Sequence, residues 1–224
     1  PGCESNHNLC YAVSDDLRHW YSGAGTPLRL PITFSDADTI VDPVPMNGGM
    51  VNGNTQVGFD SQKRPVVSYH KFDADGNTQI FNARLEEGHW VIYQTSTWAY
   101  RWEFRGGGTI PFEVGLSGVS PHGEGGLRQE YRHKKYGSGT WLLNEKDFHI
   151  VKELEPAPET AADRTQIESA FPGMAARSAA DNGNSGEAGV RYCLRWETLS
   201  QNRDKPREQI PPPSMLRVVK ITDR

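Results

Sequence analysis

In VVSYHKF, residues 66–72, a histidine and a lysine stand side by side near the end of an alternating run. His70 is of the side-chain type that moves protons near neutral pH, and Lys71 is its neighbour. A second constellation is Tyr131-Arg132-His133-Lys134-Lys135-Tyr136, in which Arg132 offers a planar fork for two carboxylate oxygens. The same charge run reads equally as a solvated turn. Arg84, Arg101 and Arg105 are further carboxylate binders by type, with Arg101 placed to pack on the rings beside it. Trp98, Tyr100 and Trp102 alternate, so that one ring could stack on a sugar. His122 and Glu124, in SPHGEGG, make a polar pair of little specificity on a Gly-rich loop. Asp73-Ala74-Asp75-Gly76-Asn77 looks like a calcium loop, but it lacks the later ligands and the bidentate Glu. A hairpin turn is expected there.

These residues need a scaffold, and the chain advertises one. Apolar and polar residues alternate in short bursts: Leu9 to Val13, Thr55 to Phe59, Pro65 to Tyr69, Thr78 to Leu85, His89 to Gln94, Gly126 to Arg132 and Thr140 to Asn144. Each burst has the length of a strand and is bounded by Gly, Asn, Asp or Ser. Asp60-Ser61-Gln62-Lys63 and the Asp73 to Asn77 stretch read as reverse turns, so antiparallel hairpins follow. With 23 Gly, 15 Pro, 6 Trp and 8 Tyr in 224 residues, the expected class is all-β. Three times an aromatic-bearing strand is followed by a polar turn and a Trp: LCYAVSDDLRHW, IFNARLEEGHW and YRHKKYGSGTW. The interval from Trp90 to Trp141 fits one blade of a β-propeller, roughly 40 to 50 residues. Ser14, Asp16 and Trp20 resemble an Asp-box, with Arg18 in its Gly position and Trp20 one residue early.

From residue 155 to residue 189 the pattern dissolves. Glu155 to Thr165 and Ala179 to Gly189 are expected as loop, with at most a short helix around Gln166 to Phe171. A strand over Val190 to Thr198, an Asn202-Arg203-Asp204 turn and a last strand over Met215 to Ile221 follow. The expected organisation is therefore propeller blades over 1–154, a loop-rich insertion over 155–189 and closing strands over 190–224.

A net charge of −4 without a basic stripe argues against nucleic acid as partner. No run of about 18 apolar residues is present, so no membrane span is expected. Cys3, Cys10 and Cys193 show no metal-ligand spacing and are expected as free, buried thiols. No cofactor and no metal are expected. The chain opens at Pro1-Gly2-Cys3 with no signal peptide and reads as a processed or truncated piece.

Four strings carry a family resemblance: the stretch from Asp42 to Trp90, YRWEFRGGGTIPF, LRQEYRHKKYGSGTWLLN, and the segment from Arg191 to Val218. They resemble BNR-repeat proteins of the BNR-4 type, which are similar to seven-bladed β-propellers about twice this length. The resemblance implies a partial propeller, about half of such a ring, and a secreted or periplasmic location. It also implies action on rhamnose- and uronate-containing acidic polysaccharide. The group includes polysaccharide lyases that work by β-elimination; α-L-rhamnosidases are related, and a non-catalytic glycan-binding propeller is the third reading. Elimination needs a neutraliser of the carboxylate, a base and an acid. The resemblance puts His70 at a functional histidine and Arg132 at the neutralising arginine. It also finds Ile110 where the lyases carry a catalytic tyrosine, and Asn52-Gly53-Asn54 where they carry another histidine. Tyr136 is then the expected substitute for the tyrosine. Asn54, Lys71, Arg84, Tyr131 and Trp102 are the expected substrate contacts.

Overall fold

The computed structural model describes residues 2–155, 167–180, 186–187, 190–202 and 205–222. The chain forms two compact units, Pro1–Pro156 and Ala157–Arg224. Both are built of antiparallel strands, with three short 3-10 turns as the helical content of the described residues.

The first unit opens with small pieces: β1 (Leu9–Cys10), β2 (Trp20–Tyr21), β3 (Pro27–Leu28) and β4 (Ile40–Asp42), paired β1 with β4 and β2 with β3. A four-stranded meander follows, β5 (Gln56–Phe59), β6 (Pro65–Phe72), β7 (Thr78–Glu86) and β8 (His89–Gln94), in the spatial order of the sequence. A second sheet holds β9 (Val114–Leu116), β10 (Ser120–Pro121), β11 (Gly126–His133), β12 (Gly137–Asn144) and β13 (Ile150–Leu154). Here β9 and β10 share one edge of β11, β10 against Leu127 and Arg128, β9 against Tyr131 to His133. The sheet is thus four strands wide with its first strand in two pieces. The second unit is a three-stranded sheet of β14 (Met174–Ala180), β15 (Val190–Leu199) and β16 (Arg217–Thr222).

Why these strands form is visible in β6 and β7. Their residues from Val66 to His70 and from Thr78 to Arg84 are all buried, so both faces of the sheet are covered. One face, with Val67, Tyr69, Phe81 and Ala83, packs on Leu9, Val41, Val44 and Met50. The other, with Val66 and Ile80, joins Val114, Leu127, Trp141 and Leu143 of the second sheet, plus Trp102, Phe104 and Phe148. Each such aliphatic or aromatic side chain contributes roughly 1.5–3 kcal/mol by leaving water. Between the two sheets runs a polar seam. The Asn82 amide donates to Gln129 Oε1 at 2.9 Å, the Gln129 amide donates back to Asn82 Oδ1 at 3.2 Å, and Ser68 Oγ donates to Asn82 Oδ1 at 2.5 Å. Every member is paired, which is the condition for a buried polar group to be tolerated. Near this seam the backbones themselves meet: a Cβ on Gly58 would lie 2.1 Å from the Val119 carbonyl oxygen.

Side chains close the turns. Asp73 Oδ1 accepts the amides of Asp75 and Asn77, with Gly76 at φ +80°. Asp60 Oδ1 accepts those of Gln62 and Arg64, and Asp16 Oδ1 those of Arg18 and His19. The Asp73 to Asn77 stretch is therefore hairpin architecture. The bonds to Asp16 from the backbone and from the His19 ring hold its carboxyl down to about 2.

Several expectations need correction. β14 is a strand inside the stretch expected to be loop, and the described residues from Ile167 to Phe171 are not helical. Its Met-Ala-Ala-Arg-Ser-Ala-Ala run has little intrinsic strand preference, and pairing along its whole length with β15 supplies what local propensity does not. Trp98 to Trp102 is not a strand either: this extended segment is pinned to β7 through Gln79, which bonds both backbone polar groups of Trp98, and through Thr78. The three cysteines are free, but only Cys193 is buried, and Cys10 is exposed. The loop expectations over 156–166, 181–185 and 188–189, and the turn at Arg203-Asp204, lie outside the described residues.

Candidate functional site

Arg132 lies on β11 with Gly115 of β9 on one side and Ser138 of β12 on the other. Strand alternation puts it on the outward face with Arg128 and Glu130. Those two pair with each other at 2.5 Å. Among the described residues Arg132 is exposed, and its side chain makes no hydrogen bond, ion pair or ring contact. Its guanidinium lies low over the Gly115 backbone, 3.4 Å from where a Cβ would stand. The open groove it lines, about 650 Å³, also presents Tyr131, Ser138, Thr140 and Glu153. A planar cation flanked by hydroxyls can hold a carboxylate through two parallel hydrogen bonds.

On the opposite face of β11 sits an aromatic cluster. Tyr131 stacks on Trp141 at 4.1 Å between centroids, and its hydroxyl reaches Glu153 at 3.3 Å. Tyr136, in the turn after β11, lies parallel to Trp98 at 6.1 Å and stays 39% exposed. Its hydroxyl donates to the Ala99 carbonyl at 3.4 Å. Beneath these rings is His133, which the sequence reading noticed only as part of a charge run. Its Nδ1 accepts the backbone amides of Lys135 at 2.9 Å and Tyr136 at 3.1 Å. Trp98, Tyr100 and Tyr136 surround the ring at centroid distances of 4.4, 4.7 and 4.8 Å. Burial holds its pKa below the ordinary histidine value, against the pull of Glu113. The signal that could have found it is its place two and three residues ahead of the amides of a tight turn, where Asp or Asn is usual.

The remaining expected contacts are packed or bonded within the chain. His70 is not a strand rim: β6 runs on to Phe72, and the histidine is fully buried, tilted on Trp102 at 5.0 Å and edge-on to Phe104 at 6.1 Å. Neither ring nitrogen has a hydrogen-bond partner of good geometry. Loss of water drives its pKa to about 4; the Gly49 backbone opposes this only weakly, because it lies outside that geometry. Trp102 is 2% exposed, so no sugar can reach its face. Asn54 is buried with its amide on the Val114 carbonyl at 2.9 Å. Arg84 is buried too, bonded to Glu86 and to the carbonyls of Glu145 and Lys146, with its cation over Phe148 at 5.0 Å. Lys71 pairs with Asp42 at 2.6 Å, an acceptor it shares with the Tyr69 hydroxyl. Burial and that carboxylate raise the pKa of Tyr69.

Ile110 and Phe112 pack against the core around Trp102. Gly53 faces Phe112, whose ring is 3.1 Å from where a Cβ would stand. Of the positions at which the resemblance expects two further proton-transfer residues, Ile110 packs on the core and Gly53 is exposed without a side chain. His70, Arg132 and Tyr136 share no hydrogen bond, ring contact or groove. His122 and Glu124 are exposed on a turn closed by the His122 amide on the Gly126 carbonyl. Arg101 stacks on Phe72 at 3.7 Å rather than on its sequence neighbours. Among the described residues no three His, Cys, Asp or Glu side chains converge as a metal site would need.

No curated protein matches the chain. Comparison with protein families matches residues 1–98 to the BNR repeat-containing family. The match takes in the strands of the first four-stranded sheet and His70, and it ends before the groove of Arg132 and the turn of His133.

Proposed function

We propose that the chain supplies blades of a carbohydrate-handling β-propeller, and that Arg132 binds the carboxylate of an acidic polysaccharide in the groove beside β11. The observation that carries this reading is the exposed guanidinium without an internal partner, flanked by Ser138 and Thr140 while neighbouring arginines are engaged. Two four-wide antiparallel sheets that share one core have the arrangement of adjacent blades, and the BNR match over residues 1–98 supports it.

In this reading Arg132 takes both oxygens of a uronate, and the Ser138 and Thr140 hydroxyls bond the sugar ring. Tyr136, backed by Trp98, offers an exposed apolar face of the kind on which a sugar stacks. Recognition is favoured over β-elimination because a proton must be taken and another given within hydrogen-bond reach of one sugar. His70 is sealed in the core, and the Tyr136 hydroxyl is turned to a backbone carbonyl. A glycan ligand of this kind carries with it a secreted or periplasmic location.

Calorimetric titration of the chain with rhamnose- and uronate-containing oligosaccharides, and with the same oligosaccharides after carboxyl reduction, tests the proposal. Binding is expected only with the carboxylate present, and Arg132→Gln is expected to weaken it roughly 10- to 100-fold, the worth of a charged hydrogen-bonded pair. Equal binding by Arg132→Gln or by the reduced oligosaccharide overturns the assignment. Absorbance at the unsaturated-uronate band, followed in the same mixtures, should stay flat; its rise would restore elimination.

A further inference from the structure

The chain closes at least three turns with a carboxylate that accepts two backbone amides, at Asp16, Asp60 and Asp73. The β11–β12 turn uses the same device with a different acceptor. His133 Nδ1 takes the amides of residues two and three positions on, Lys135 and Tyr136. An imidazole nitrogen accepts hydrogen bonds only through its lone pair, so Nδ1 must be bare and the ring proton must sit on Nε2. Nε2 is buried, without a hydrogen-bond partner, among aromatic rings.

We propose that His133 is a pH-released clasp: neutral, it closes the β11–β12 turn and holds Tyr136 against Trp98, and protonation at Nδ1 lets the turn go. A proton on Nδ1 removes the lone pair that both amides use. It also turns the ring into a cation within a largely apolar cage. The charged groups around it have been settled by others: Glu113, ahead of β9, is bonded by Lys134 at 2.5 Å and by the Tyr100 hydroxyl. Lys135, in the turn itself, repels a cation at His133. Tyr100 and Tyr136 face the ring, and β12 contributes Gly137 opposite it.

The turns of Asp16 and Asp73 are set apart from this one, because both carboxyls are held below the ordinary carboxylate range. The bonds around Asp73, chiefly those from Gln79 and Asn77, outweigh its burial and keep it ionised below the ordinary carboxylate range. As pH falls, His133 therefore gives way while Asp73 still holds. The clasp lies one residue from Arg132, whose cross-strand neighbour Ser138 is the second residue of β12. Protonation of His133 thus loosens one end of the groove, whatever ligand the groove takes.

The test is a nuclear magnetic resonance titration of the whole chain from about pH 7.5 to about pH 4.5, with His133 and the turn amides assigned. Expected are a bare Nδ1 in the neutral form, a His133 midpoint below the ordinary histidine value, and protection of the Lys135 and Tyr136 amides, taken relative to their intrinsic exchange rate at each pH, that falls roughly tenfold or more at that midpoint. The amides of Asp75 and Asn77 should not respond over the same range. A protonated Nδ1 in the neutral form, or Lys135 and Tyr136 amides that keep their protection through the His133 titration, overturns the proposal. His133→Asn provides a non-titrating acceptor and should keep both amides protected throughout; the wild-type midpoint persisting in that variant would equally overturn it.

Discussion

His70 and His133 are both buried and both walled by aromatic rings, yet they are held in opposite ways. His70 stands in mid-strand, walled by Trp102 and Phe104, with neither ring nitrogen in a hydrogen bond of good geometry. His133 ends a strand and is fixed by two backbone amides. A proton on His70 breaks no bond but charges the core. A proton on His133 charges an aromatic cage too, and it also costs a turn its closure. Burial by itself therefore does not say what protonation of a histidine will do; the bonds its lone pairs make decide that.

The comparison can be broken from the core side first. Trp102→Ala removes the wall of His70 and should cost roughly 3–5 kcal/mol in urea unfolding, while leaving the His133 titration where it was. A change at both histidines would mean that the two regions are one. Acid sharpens the contrast. The folded chain holds His70 at about 4, against an ordinary value of about 6.5, so the unfolded chain takes up the proton first as pH falls. Stability is full above the ordinary value and declines from there down to the folded one, by up to about 3 kcal/mol. His70→Leu should flatten most of that slope and leave the amide response at Lys135 and Tyr136 untouched. Asn82→Ala, which strips the seam between the sheets and strands Gln129 and Ser68, should cost about 1–3 kcal/mol without changing either titration. Least of all, Arg132→Gln should shift unfolding by no more than about 0.5 kcal/mol, since the side chain touches no internal partner.

How far sequence sufficed differs between these regions. The hairpins were legible because turn chemistry and alternation are local: the turns at Asp60 and Asp73, and the strand His89–Gln94, are where spacing puts them. The face of Arg132 was legible for the same reason, since a period of two decides it. The burial of His70 was not. What covers it, Trp102 and Phe104, arrives from more than thirty residues away along a segment with no ladder of its own. At Ile110 and Gly53 the surroundings come from elsewhere in the chain: Ile110 packs on the core around Trp102, and Gly53 faces the Phe112 ring. The Ala-rich β14 was invisible because its partner strand, not its own residues, makes it a strand.

Gly58 has a further consequence for how such sheets can be multiplied. With the Val119 carbonyl where the first atom of any side chain would go, the separation of the two inner edges is set by bare backbone, as by a calliper with nothing between its jaws. Side chains farther out can be exchanged for others of different size and the sheets will repack. At Gly58 even one methyl must wedge them apart. If like sheets are arrayed about an axis, the angle between neighbours, and so the number that closes a ring, is gauged at that contact.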